Sequence, residues 1–94
     1  MIRKLTEAEI ASGLESLVDW SLDQGKLFKS YRFQDFAQAF AFMTQVAQLA
    51  EESDHHPEWF NVYATLRVHL TTHEVSGVSE RDFDLARAMD RLQP

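Results

Sequence analysis

The sequence contains no cysteine, only two prolines and only three glycines among its 94 residues. Without cysteine there is no disulfide scaffold, no thiolate zinc site and no cysteine nucleophile. Such a chain suits a reducing cytosol, so a cytoplasmic location is expected. No apolar run approaches the ~20 residues that a membrane span needs. Met1-Ile2-Arg3-Lys4 leads into acidic, helix-like sequence, not into the apolar core of a signal peptide. Basic residues are scarce: nine Lys and Arg stand against fifteen Asp and Glu, a net charge of −6. That balance argues against direct binding to nucleic acid or to an anionic membrane. A glycine-rich phosphate loop, a serine in a nucleophile motif, and HxH or HExxH metal spacing are all missing.

What is present is a globular composition. Hydrophobic residues make up 45%, and seven Phe, two Trp and two Tyr supply large core pieces for a short chain. No linker, repeat or low-complexity tract interrupts it, so residues 1–94 read as one domain. A capping box at Thr6 and Glu9, stapled by Leu5 and Ile10, starts a first helix whose apolar face is Ile10, Leu14, Leu17 and Val18. Asp23-Gln24-Gly25 reads as a three-residue hairpin loop, a type I turn closed by a left-handed glycine. Strands Trp20 to Leu22 and Lys26 to Phe33 flank it.

Asp35 to about Glu52 reads as a long helix with two adjacent apolar stripes. One is Phe36, Phe40, Met43, Ala47 and Ala50; the other is Ala39, Phe42, Val46 and Leu49. Together they cover more than an ordinary surface helix buries, and the Phe residues are expected in the core. From Phe60 the period becomes two. Phe60, Val62, Ala64, Leu66, Val68 and Leu70 are expected on one core face, with a break near Tyr63 to Thr65. Ser79 and Asp82 form a second capping box, stapled by Val78 and Phe83, before a final helix. The order α-β-β-α-β-β-α implies an α+β two-layer sandwich: a four-stranded antiparallel sheet with helices packed on one face.

Chemistry concentrates in Glu51-Glu52-Ser53-Asp54-His55-His56-Pro57-Glu58-Trp59. Pro57 disfavours helical geometry at His56, so both imidazoles leave the helix on a loop. His73 falls where the last strand runs out. Histidine exchanges protons near neutral pH, and a carboxylate such as Glu51 or Asp54 can hold it in one tautomer. Trp59 offers a flat apolar wall. His55, His56, His73 and Asp54 also make a candidate zinc or iron set, but adjacent histidines diverge unless the backbone bends. His69 shares its strand parity with Arg67 and Thr71 and reads as a solvated or interface residue. Asp82, at the third helical position of a capping box, reads as structural.

The spacing Glu51, three residues, His55-His56-Pro57, five residues, Tyr63, nine residues, His73, eight residues, Asp82 resembles the signature of the pterin-4a-carbinolamine dehydratases. Trp59-Phe60-Asn61-Val62-Tyr63 and Leu70-Thr71-Thr72-His73-Glu74 extend the likeness, which runs from about Leu27 to Met89. The resemblance implies dehydration of 4a-hydroxytetrahydropterin to quinonoid dihydropterin, in recycling the cofactor of aromatic amino acid hydroxylases. It implies catalytic His55, His56 and His73, with Glu51, Asp54, Pro57, Trp59 and Thr72 around the substrate. It further implies no metal, no cofactor beyond the pterin substrate, and a homodimer or homotetramer. Some members serve as dimerisation cofactors of a homeodomain transcription activator, so an interaction module on the same fold is the second reading.

Overall fold

The computed structural model describes residues 1–93. Its elements are α1 (Glu7–Leu14), β1 (Ser21–Asp23), β2 (Lys26–Arg32), α2 (Phe36–Ser53), β3 (Glu58–Val62), β4 (Thr65–Leu70), a 3-10 turn (His73–Val75) and α3 (Glu80–Leu92). The order of helices and strands is the one that patterning implied. The strands form one sheet in the order β1-β2-β4-β3, with every neighbouring pair antiparallel. One sheet face presents Leu27, Tyr31, Leu66, Val68 and Leu70 to Phe42 and Val46 of α2 and to Phe83, Ala86 and Met89 of α3. All of these side chains are buried. Among the described residues, no helix covers the other face.

Local chemistry sets the element ends. Thr6 Oγ1 accepts from the Glu9 backbone N–H at 3.1 Å, and the Glu9 carboxylate accepts from the Thr6 N–H at 2.9 Å. The Arg3 guanidinium grips the same carboxylate and holds its pKa down to about 2. α1 ends at Leu14, sooner than its periodicity implied, and a chain of turns follows. Leu17 stays buried, but Val18 lies outside the helix and is exposed. Gly13 lets α1 approach α3, since a Cβ there would fall 2.6 Å from the Phe83 ring. Asp35 caps α2 through the Gln38 N–H at 2.8 Å. Asp54 closes α2 in the left-handed conformation, with φ of 52°.

Three further expectations need correcting. Asp23 pairs with Lys26, so the first hairpin loop has two residues, Gln24 and Gly25. Their φ values of 54° and 76° make the turn of the primed kind, whose twist matches that of the strands it joins. In the second hairpin Val62 pairs with Thr65, leaving only Tyr63 and Ala64 in the loop. Such a loop puts Val62 and Thr65 on the same face, and so inverts the alternation across the turn. Leu66, Val68 and Leu70 are therefore core, whereas Phe60 and Val62 are 59% and 57% exposed on the open face. Third, α2 buries its Ala39-Phe42-Val46 stripe, and Phe36 and Phe40 stand 47% and 52% exposed. The sheet and α3 cover one side of α2, and no described element covers the other.

A polar pin fastens α3 to the sheet. Asp90 accepts from Trp20 Nε1–H at 2.9 Å, Lys29 Nζ at 2.9 Å and Tyr31 O–H at 2.7 Å. Burial, followed by the Asp90 hydrogen bond, pushes the Tyr31 phenol well above its usual range. Asp90→Ala leaves three part-buried donors without their acceptor. A loss of about 2–4 kcal/mol is expected in urea unfolding, with little change in the slope.

Candidate active site

Three polar contacts converge on the carboxylate of Asp82. It is completely buried, in the first turn of α3. Its Oδ2 accepts from the Ser79 backbone N–H at 2.9 Å, completing the capping box, and from Thr72 Oγ1–H at 2.8 Å. Thr72 has one hydroxyl proton, and Asp82 takes it. The 2.6 Å contact between Thr72 and Ser79 is therefore donated by the serine hydroxyl. Ser79 Oγ in turn accepts from the Arg81 N–H at 3.2 Å.

The other carboxylate oxygen, Oδ1, lies 2.6 Å from His55 Nε2. His55 is 7% exposed, and its backbone N–H donates to Ala50 O at the end of α2. With Asp82 ionised, Nε2 is the donor, which leaves Nδ1 as the unprotonated nitrogen of the neutral ring. A buried carboxylate with two donors already on Oδ2 is a fitting partner for this ring.

The other two imidazoles have separate partners. His56 is exposed, with Nε2 2.6 Å from Glu51 Oε1. His73 opens the 3-10 turn and is also exposed, with Nε2 3.5 Å from Glu58 Oε2. Two links join the loop 55–58 to the turn 72–73. One runs from His55 through Asp82 to Thr72, the other from Glu58 to His73. The Thr72–Gly77 backbone bridge holds the turn from behind.

A cavity of about 340 Å³ opens between the end of α2 and the start of α3, with His55 in its wall. Leu49, Leu85 and Ala88 supply apolar lining, and Glu52, Arg81 and Asp84 supply charge. His56 and His73 are not among its lining residues.

The chain's residues 3–92 match the family model for pterin 4 alpha carbinolamine dehydratase. The chain belongs to the pterin-4-alpha-carbinolamine dehydratase family. Its members are hydro-lyases. A relative from Prochlorococcus marinus, named for this dehydratase, is 50% identical over 90 residues, covering 96% of this chain and 94% of its own. One from Solibacter usitatus, named likewise, is 49% identical over 92 residues, covering 98% and 97%. A crystal structure from Brucella melitensis, described as a transcriptional coactivator/pterin dehydratase, superposes with a TM-score of 0.91. It is 44% identical and the match covers 95% of this chain and 97% of that one.

Within this dehydratase-family fold, the residues singled out in the sequence divide by position. Glu51 pairs with His56 at the exposed end of α2. Asp54 is exposed at the α2 C-cap, and no side-chain hydrogen bond to it occurs among the described residues. Asp82, not Asp54, holds His55. Pro57 and Trp59 are half-buried, with Trp59 opposite Val68 and packed against the core. The Thr72 side chain has no exposure and is spent on Asp82 and Ser79.

Sequence reasoning missed Glu58 as the neighbour of His73 and the second role of Asp82. The capping-box spacing was visible, but it accounts for one carboxylate oxygen only. Asp82→Ala strands three buried donors, on His55, Thr72 and Ser79. It is expected to lower stability by about 3 kcal/mol or more, whereas Glu51→Ala, at an exposed pair, changes it by less than about 1 kcal/mol. Chemical denaturation measures both.

Proposed function

We propose that this protein dehydrates pterin-4a-carbinolamine to quinonoid dihydropterin and water, by histidine acid–base chemistry. The departing 4a-hydroxyl takes a proton as the C4a–O bond breaks and leaves as water. The N5 proton is removed, and its electron pair becomes the N5=C4a bond. Protons enter and leave in this step without net oxidation, so no redox cofactor is required, and two imidazoles can carry both proton transfers without a metal. His55 and His73 act as the acid–base pair, one on the hydroxyl and one at N5. His56 binds and orients the ring, with Glu51, Asp54, Pro57 and Trp59 about it. Thr72 acts through Asp82.

The observation that carries this reading is the 2.6 Å contact between buried Asp82 and His55. A ring held by one nitrogen presents the other in a fixed place and tautomer, which is what general acid–base catalysis asks of it. Membership of the dehydratase family supports the substrate class. The reaction serves recycling of the tetrahydropterin cofactor from the carbinolamine that an aromatic amino acid hydroxylase leaves, in the cytoplasm. Stopped-flow dehydration of freshly generated carbinolamine is the test. His55→Ala and His73→Ala are each expected to lower kcat by roughly 100-fold or more. Wild-type rates in both variants would refute the assignment.

Self-association is part of the proposal. Phe36 and Phe40 on α2, and Phe60, Val62 and Tyr63 at the β3 edge, are large apolar side chains left in water. β3 ends the sheet, so one side of its backbone is unpaired by any described strand. Both features fit a homodimer or homotetramer. Phe40→Glu adds charge to the exposed stripe and leaves the buried one alone. It is expected to shift sedimentation toward smaller species, and an unchanged mass would place the contact elsewhere.

The same α2 surface supports the second reading, an interaction module of the kind the Brucella neighbour's description names. Partner capture that survives replacement of all three histidines would favour it.

A further inference from the structure

We propose that Glu58 is a positioning residue for His73, itself oriented by Lys26 across the open face of the sheet. The proposal rests on the reading that His73 takes part in proton transfer.

His73 is otherwise poorly restrained. Its side chain is 81% exposed, on a three-residue 3-10 turn. Core packing therefore cannot set its rotamer. Among the described residues, Glu58 is the one acid within 4 Å of its Nε2, at 3.5 Å. The other Glu58 oxygen, Oε1, accepts from Lys26 Nζ at 2.7 Å. That bond fixes the carboxylate plane and leaves Oε2 to face the imidazole.

The bridge is a product of strand order. Lys26 starts β2 and Glu58 starts β3, and both strands flank β4. Their side chains meet over the end of β4 on the helix-free face. The β4 residue opposite Glu58 is His69, which is engaged elsewhere. Its Nε2 lies 2.8 Å from Asp23 Oδ2 on β1, and its ring lies 4.7 Å from that of Phe28. His69 thus leaves Glu58 to Lys26 and His73. Lys26 also holds the Glu58 carboxyl below the usual carboxylate range, and both nearby histidines add to the effect. Glu58 is therefore an anion throughout the neutral range. An anion beside Nε2 selects that edge of the ring and leaves Nδ1 for the substrate.

The experiment compares Glu58→Gln, Lys26→Met, His73→Ala and the Glu58→Gln/His73→Ala double variant by stopped-flow dehydration. Glu58→Gln keeps the shape and removes the charge. Its kcat is expected to fall roughly threefold to tenfold, with KM changed less than about twofold. Lys26→Met is expected to give a smaller loss in the same direction and to move the Glu58 carboxyl titration upward, read by 13C NMR. The double variant is expected to match His73→Ala within about twofold, because the two residues act through one ring. Long-range 1H–15N spectra are expected to show a smaller Nε2–H fraction for His73 in Glu58→Gln. An impaired His73→Ala beside an unimpaired Glu58→Gln would overturn the positioning role and leave the acid–base reading standing. So would a Glu58→Gln loss of equal size in the presence and absence of His73. A wild-type rate in His73→Ala would instead refute the acid–base reading, and the positioning role with it.

Discussion

Asp82 carries two constraints on one buried carboxylate. Its Oδ2 closes the first turn of α3 and receives Thr72, and its Oδ1 meets His55. The start of α3, the end of β4 and the loop leaving α2 are thereby drawn to one point. A carboxylate without solvent is costly unless its oxygens are hydrogen-bonded, and here three donors reach them. The same contacts that make its burial tolerable also hold the His55 ring. Fold stability and the orientation of the His55 ring are therefore coupled through a single side chain.

The two faces of the sheet do different work. The covered face is a dense apolar core, with Leu27, Leu66, Val68 and Leu70 at zero exposure. The open face carries charge pairs: Lys26 with Glu58, and Asp23 with His69. Pairs this exposed add little to stability, yet they define directions. That is how a side chain as exposed as His73 comes to have a fixed neighbour. Trp20, Lys29 and Tyr31 meet at Asp90 near the other end of α3, so this helix is held by polar contacts at both ends.

Much of the fold was legible because its signals are local. Both capping boxes, the long α2, the hairpin at Gly25 and the element order follow from spacing within a few residues. The errors arose where a count of one residue changes the outcome. A two-residue loop at Tyr63-Ala64 inverted the parity of β3, so Phe60 and Val62 moved to the open face while Leu66, Val68 and Leu70 kept the core. The breadth of the apolar face on α2 was read correctly as composition. Burial of Phe36 and Phe40 depended on what lies over them, which composition does not contain.

By itself, the sequence determined the family, the element order and the three histidines set out at family spacing. These rest on residue identity and separation along one chain. Only the tertiary structure decided which acid faces which imidazole. Asp82 reaches His55 from twenty-seven residues away, while nearby Asp54 caps a helix instead. Glu58 reaches His73 because β3 and β4 pair in one register, and it meets Lys26 because β2 lies on the far side of β4. Proximity between side chains is set by strand order, register and helix packing, and spacing along the chain carries none of the three.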